Sequence, residues 1–149
     1  MFKFGNAIRN TLSVLSYLAE TYETRQHFLS SLDIAKERKL SKAVVAKTLT
    51  ILSQQGLVVA SPGPGGGYRL AQHPDEVTLY EVMSTFERKG RRPCPFGRKP
   101  CDPEDPCALH DPFTELLEQV NEFMKNVRLS RLVMHREAST HIRRRQVKR

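Results

Sequence analysis

The sequence predicts a mainly α-helical fold with one small two-stranded hairpin and a long C-terminal helix. Apolar residues recur at three- and four-residue steps over residues 8–22 and 113–127, which indicates two amphipathic helices. Between them, the glycine-rich run 63–67 lies between the short apolar segments 57–60 and 68–70. This arrangement is typical of two strands joined at a tight tip. The length of 149 residues suits one domain with an appended element.

Three helices are predicted before the hairpin. The first covers residues 8–22, and the second begins after Ser30, whose hydroxyl can cap free amides, and ends near Arg38. Ser41 caps the third helix, which ends at Gly56, a residue suited to the left-handed conformation. Helix, short turn, helix and hairpin is the order of a winged helix-turn-helix, in which the second helix of the pair enters the DNA major groove.

A fourth, short helix is predicted over residues 79–86, after the hairpin. Thr78 and Glu81 have the spacing of a capping box, and Val77 can pack against Val82.

The last predicted helix runs from Asp111 to Leu129. Asp111 followed by Pro112 is typical of a cap and a first helical turn. One face of this helix is apolar along its length, and a single small domain cannot cover it, so we expect a homodimer. The predicted interface residues are Phe113, Leu116, Leu117, Val120 and Phe123.

The net charge of +8 favours a polyanionic partner but does not distinguish DNA from RNA or an anionic membrane surface. Five of the positive charges lie in residues 143–149, where little is apolar, so we expect a solvated tail there and rest the DNA prediction elsewhere. No apolar run approaches the roughly 20 residues that span a bilayer. Lys3 and Arg9 would interrupt the apolar core of a signal peptide, so we expect a cytoplasmic protein without a membrane partner.

The DNA-binding prediction rests on the third helix and the hairpin tip. Polar side chains off the apolar positions of the helix can donate to phosphates or base edges, although a solvated face has the same appearance. Three consecutive glycines cost chain entropy and let backbone approach a sugar-phosphate strand. No Gly-Lys-Ser/Thr follows them, so a nucleotide-binding loop is rejected. The candidate DNA-binding residues are Ser41, Lys42, Val44, Lys47, Thr48 and Thr50 of the helix and Gly65, Gly66, Gly67, Tyr68 and Arg69 of the hairpin.

Residues 89–112 hold six prolines and all three cysteines, and they cannot form a continuous helix. Cys94, Cys101 and Cys107 form C-x6-C-x5-C, and His110 adds C-x2-H. An odd number of cysteines cannot close into a disulfide framework, and grouped cysteines in a reducing cytosol more often bind metal.

Thiolates are the usual ligands of iron-sulfur clusters, and an imidazole can replace one of them. Three cysteines and a histidine are also a standard zinc set, and a lone histidine is often only a surface residue. A metal-dependent enzyme is the competing class of function, but no carboxylate-histidine set accompanies the cysteines. We therefore predict no enzyme, and an iron-sulfur cluster and zinc both remain open on ligand chemistry alone.

The glycine tip and the cysteines together carry a family resemblance. The run 55–58, the tip and strand 63–70, and then the spaced cysteines with Cys107-Ala108-Leu109-His110 resemble the IscR/NsrR/RirA family over roughly residues 1–135. Its members are dimeric bacterial regulators that use an iron-sulfur cluster to sense iron-sulfur status, nitric oxide, iron or redox state. The resemblance implies a transcription regulator of a two-fold symmetric DNA operator. It also implies an iron-sulfur cluster, with [2Fe-2S] favoured over [4Fe-4S], on the three cysteines and His110.

The chain departs from the family in places that concern specificity. Ser61-Pro62 stands where some members carry an arginine that enters the minor groove. Val44, Ala46 and Lys47 stand where the cluster-assembly regulator of the family has larger polar or aromatic side chains that contact bases. The operator sequence of those relatives therefore cannot be assigned to this chain.

A further departure concerns the fourth cluster ligand. Nitric-oxide-sensing relatives take it as an aspartate from the partner's first helix, where an ungapped count places Arg9 in this chain. Arginine cannot ligate, so His110 is the better candidate, with Asn6 or an exogenous ligand as the alternative.

We divide the chain into a DNA-binding domain (1–88), a cysteine loop (89–112), a dimerisation helix (113–135) and a basic tail (136–149).

Overall fold

The computed structural model describes residues 4–23, 28–86, 96, 102 and 104–133. It confirms a mainly helical fold with one two-stranded antiparallel sheet. The elements, in chain order, are α1 (Asn6–Glu20), α2 (Ser31–Arg38), α3 (Lys42–Gln54), β1 (Val58–Ser61), β2 (Gly67–Leu70), α4 (Leu79–Ser84) and α5 (His110–Asn126). We call α1 to α4 with the hairpin the winged body. Within the described ranges, no helix combines the length and the apolar character that crossing a bilayer requires.

The caps of α2 and α3 are those the sequence predicts. The Ser30 and Ser41 hydroxyls accept hydrogen bonds from the Asp33 and Val44 amides. Lys39, in the left-handed conformation at φ 53°, turns the chain between the two helices. The core of the winged body lies where α1, α2, α3 and the hairpin meet, and its most deeply buried residues include Val14, Leu15, Ile34, Val45, Leu49, Leu52 and Val58.

A buried ion pair joins α2 to α1. Arg38 Nη2 lies 2.7 Å from Glu20 Oε2, and the Arg38 side chain is only 4% exposed. The same guanidinium lies 4.8 Å from the centroid of the Tyr17 ring. Within the described residues, Arg38 Nε and Nη2 have no hydrogen-bond partner, so the contact is a close ion pair that holds the end of α2 against α1 through charge.

The hairpin pairs Val58 with Leu70 and Ser61 with Gly67. On the other edge of β2, the Leu29 amide donates to the Tyr68 carbonyl at 2.9 Å and the Tyr68 amide donates to the Leu29 carbonyl at 2.8 Å. Leu29 therefore adds one rung of a third strand to the wing, directly before the Ser30 cap of α2.

The capping box of α4 is present as predicted, with Thr78 and Glu81 exchanging bonds between side chain and backbone. Val77 and Val82 are both buried in the core, which agrees with their predicted contact. The helix ends at Ser84 and not at residue 86.

Helix α5 begins one residue earlier than predicted, so the cap assigned to Asp111 is wrong. Its first residue is His110, and the preceding Leu109 makes no side-chain cap. Asp111 lies inside the first turn, where a carboxylate still interacts favourably with the helix dipole.

The C-terminal end of α5 also differs from the prediction, because the helix stops at Asn126. Val127 is extended, and its carbonyl accepts from the Leu79 amide at 2.9 Å. The Leu129 amide donates to the Val77 carbonyl at 2.9 Å, and the Leu129 side chain is fully buried in the core. The chain after α5 thus returns to the winged body and does not continue one helix through residue 135.

Candidate nucleic-acid interface and cysteine segment

The exposed face of α3 carries most of the predicted DNA-binding side chains. Lys42, Lys47 and Thr50 are exposed, and Val44 is half-buried. The Thr50 hydroxyl donates to the Ala46 carbonyl at 2.9 Å, so it can offer only an acceptor to a ligand while that bond lasts. Ser41 is exposed, but its oxygen already accepts the capping bond. The lysines are therefore the groups of this face best suited to an anionic partner.

Thr48 does not belong to this face. It is only 7% exposed, so the prediction that it lies off the apolar positions of α3 is wrong. Thr48 follows the buried Val45 by three residues and precedes the buried Leu52 by four, and residues at these spacings share one helix face. The spacing of Thr48 from Val45 and Leu52 in the sequence therefore already indicated that Thr48 is buried.

The glycines of the wing tip have two different roles. A β-carbon on Gly66 would lie 2.2 Å from the Ser61 carbonyl oxygen, and one on Gly67 would lie 2.3 Å from the Leu29 carbonyl oxygen. Close packing of the chain on itself therefore requires glycine at both positions, without any DNA. Gly65, at φ 77°, has open space around its β-carbon position, so its requirement is only for the left-handed backbone.

Strand β2 carries the remaining two predicted wing residues. Tyr68 is half-buried and packs against the core, whereas Arg69 is exposed. The Arg69 guanidinium lies 5.1 Å from the centroid of the Phe28 ring. Sequence reasoning missed Phe28, because nothing local relates two residues so far apart in the chain.

The predicted interface residues of α5 are only partly covered by the winged body. Leu116 is 51% exposed and Phe123 is 60% exposed, whereas Phe113, Leu117 and Val120 are half-buried. The face of α5 toward α4 borders a cavity of about 170 Å³, whose lining includes Ile8, Tyr80, Met83, Val120 and Met124.

The predicted cysteine loop (89–112), called the cysteine segment from here on, is only partly within the described residues. Cys94 and Cys101 lie outside them, and Cys107 is a free, exposed thiol. The His110 amide donates to the Cys107 carbonyl at 2.9 Å, so one turn joins the thiol residue to the first residue of α5. In the described ranges, no three histidine, cysteine or acidic residues are grouped to hold a metal.

One aromatic contact links the cysteine segment to α5. Phe96, two residues after Cys94, meets Phe113 edge to face, with ring centroids 5.2 Å apart. Phe113 belongs to the predicted dimer face. The donor types at Cys107 and His110 suit an iron-sulfur cluster or zinc.

Three packed helices, a turn held by a left-handed residue and a hairpin beside an exposed lysine-bearing helix define a winged helix-turn-helix DNA-binding protein. A family model described as Rrf2, iron-dependent transcriptional regulator, matches residues 5–135. The chain belongs to the Rrf2 family of transcription regulators. This agrees with the resemblance seen in the sequence and with the prediction of a regulator in place of an enzyme.

Individual relatives are similar over most of the chain. A protein of Aquifex aeolicus described as an HTH-type transcriptional regulator is 29% identical over 133 residues, which cover 87% of this chain and 90% of that protein. IscR of Pectobacterium atrosepticum is 29% identical over 105 residues, which cover 70% of this chain but only 64% of the relative.

Solved structures share the fold. IscR of T. potens superposes with a TM-score of 0.71 at 18% identity, covering 92% of this chain and 88% of its own. CymR, described as the global cysteine regulator of B. subtilis, gives a TM-score of 0.72 at 22% identity, covering 91% and 98%.

Proposed function

We propose that this chain is a homodimeric, cytoplasmic transcription regulator whose binding to a DNA operator depends on an iron-sulfur cluster. Cys94, Cys101 and Cys107 would hold the cluster, with His110 as the fourth ligand. The observation that carries the proposal is the turn in which the His110 amide binds the Cys107 carbonyl. It supports a ligand pair at the start of the helix that bears the exposed apolar face.

The DNA half of the proposal is supported by charge and exposure. Lys42 and Lys47 on α3 and Arg69 on the wing are exposed cations on the elements that a winged helix-turn-helix turns toward DNA. Cations of this kind position a protein through phosphates, while neighbouring contacts to base edges read sequence. Two copies joined through α5 would present two such surfaces, which suits a two-fold symmetric site.

The regulatory half is supported by the connections of α5. When bound, an iron-sulfur cluster supplies a redox-active centre, and we favour [2Fe-2S] over [4Fe-4S]. Phe96 contacts Phe113 near the start of α5, and Val127 and Leu129 pair with residues 77–79 of the winged body at its end. A displaced cysteine segment would therefore move α5 and change how the two α3 helices of a dimer are spaced.

The ligand assignment is tested with protein purified without oxygen. We expect iron, sulfide and visible absorption in the wild type, and loss of all three in Cys94→Ala, Cys101→Ala and Cys107→Ala. His110→Ala should retain a labile cluster or one with a shifted potential. His73→Ala, on an exposed loop of the winged body, is the matched control and should behave as wild type. Stoichiometric zinc without iron or sulfide would favour a structural zinc site and overturn the cluster.

The switch is tested on a duplex that wild-type protein selects from a random DNA library. Holo and apo protein are titrated against it at one salt concentration, and we expect different affinities. Typical allosteric coupling is about 1–3 kcal/mol, or roughly 5- to 150-fold. Equal affinities would leave the metal only a structural role.

The electrostatic contribution of α3 is measured on the same duplex. Lys47→Ala should reduce the slope of log affinity against log salt by about 0.9 for each phosphate contact it removes. Lys125→Ala, on α5 beside Tyr80, removes the same charge away from the wing and should leave the slope unchanged. An unchanged slope in Lys47→Ala would exclude this residue from the interface.

A further inference from the structure

We propose that Phe28 is a positioning residue for DNA binding, whose ring holds the Arg69 guanidinium on the outer face of the wing for a DNA phosphate. The inference rests on the proposed DNA binding and adds a residue outside both α3 and the hairpin. It assigns a task to the segment that precedes α2.

The Arg69 side chain lies on a solvent-facing side of the wing. Arg69 is exposed, and its register partner Val59 on β1 is 37% exposed. The guanidinium carbon lies 5.1 Å from the Phe28 ring centroid, within the range of a cation–π contact. Across the described part of the chain, no carboxylate forms an ion pair with Arg69. Among these described residues, the charge is therefore held by a ring and not neutralised by an acid.

The backbone of Phe28 is positioned by the two residues that follow it, which are bonded to strand β2 and to helix α2. The next residue, Leu29, is 5% exposed and makes two backbone hydrogen bonds to Tyr68, the residue that precedes Arg69. The residue after that, Ser30, caps α2. The absence of a β-carbon at Gly67 allows this close approach of the two segments. Phe28 and Arg69 thus flank the same backbone rung, which keeps their backbones close together.

The contact suits phosphate binding for a physical reason. A free arginine side chain loses much rotamer freedom when it binds, and a side chain held beforehand loses less. The ring lies within cation–π range of the guanidinium, and an aromatic ring takes no place among the oxygen acceptors that the N–H donors can bind, such as those of a phosphate. A positioning role for Phe28 therefore affects affinity without changing the number of charges at the interface.

The test is a double-mutant cycle on the duplex selected by wild-type protein, using Phe28→Leu, Arg69→Ala and the double variant. Arg69→Ala should weaken binding about tenfold or more and reduce the salt slope by about 0.9 per lost phosphate. Phe28→Leu should weaken binding about two- to fivefold, the worth of an exposed cation–π contact, with the salt slope unchanged. In the Arg69→Ala background, Phe28→Leu should have no further effect.

The conservative variant Phe28→Tyr keeps a ring and should bind as wild type. If Phe28→Leu weakens binding equally in the Arg69→Ala background, the ring acts through the fold and the inference is overturned. If wild-type protein selects no sequence, the proposed function fails and this inference fails with it. If wild-type protein selects a DNA sequence but the effects of the two substitutions on the binding free energy simply add, only this inference is contradicted.

Discussion

Leu49 of α3 is fully buried, whereas Phe123 of α5, also a large apolar residue, is 60% exposed. The contrast extends to the whole elements. Helix α3 buries Val45, Thr48, Leu49 and Leu52 within one chain, and α5, although longer, buries only Met124. Both helices are amphipathic in sequence, so amphipathic pattern alone does not reveal whether the covering surface comes from the same molecule.

The difference separates two kinds of stability. The core of the winged body is buried within one chain, so its contribution to folding does not depend on protein concentration. In the proposed dimer, the exposed residues of α5 gain burial when a second copy covers them, and such a gain follows mass action. Substitutions in the two regions should therefore differ in size and in concentration dependence.

The largest effect is expected in the core of the winged body. Leu49→Ala should lower the free energy of unfolding by about 2–5 kcal/mol, because it removes buried methyl groups and leaves a cavity. Urea unfolding at two protein concentrations should give the same loss. Leu49→Met, which keeps the volume, should cost less than about 1.5 kcal/mol. A loss that varies with concentration would contradict a self-contained core.

A smaller effect is expected at the buried ion pair between α1 and α2. Glu20→Gln leaves the Arg38 charge, 4% exposed, without its carboxylate, and should cost about 1–3 kcal/mol in urea unfolding. Glu37→Gln removes the same charge from an exposed position of α2 and should change stability by less than about 0.5 kcal/mol. Equal effects of the two variants would show that the pair does not hold α2 against α1.

The smallest effect on the winged body is expected from α5. Leu116→Glu should change its stability by less than about 0.5 kcal/mol, since Leu116 is 51% exposed in one chain. The same variant should lower the mass in solution toward the 17.0 kDa of one chain, measured by light scattering. Glu118→Ala, also exposed on α5, is the control and should keep the wild-type mass. A wild-type mass of one chain would overturn the dimer.

Local signals in the sequence predicted much of the winged body. Ser30, Ser41 and the Thr78 capping box were found because each bond spans three residues. Thr48 was misassigned although its spacing from Val45 and Leu52 indicated burial.

Other features could not be predicted, because they join distant parts of the chain. The Leu29 rung beside β2 gives Gly67 its steric requirement and brings Phe28 under Arg69. The return of Val127 to Leu79 ends α5 earlier than its apolar pattern suggests. Ligation by Cys94 and Cys101 stays a prediction, since both lie outside the described residues.

The pairing of residues 77–79 with 127–129 has a consequence for how this protein can evolve. The Leu79 amide donates to the Val127 carbonyl and the Leu129 amide donates to the Val77 carbonyl, so the chain after α5 returns to the start of α4. Residues 80–126, which include most of α4 and all of α5, form a closed segment whose two ends are joined by these hydrogen bonds. Doubling the length of a flexible loop costs only about 0.6 kcal/mol in closure entropy. The closing hydrogen bonds use none of the residues between α4 and α5, so the winged body should tolerate insertions or exchanges there, and a new sensory segment could be grafted between unchanged anchors.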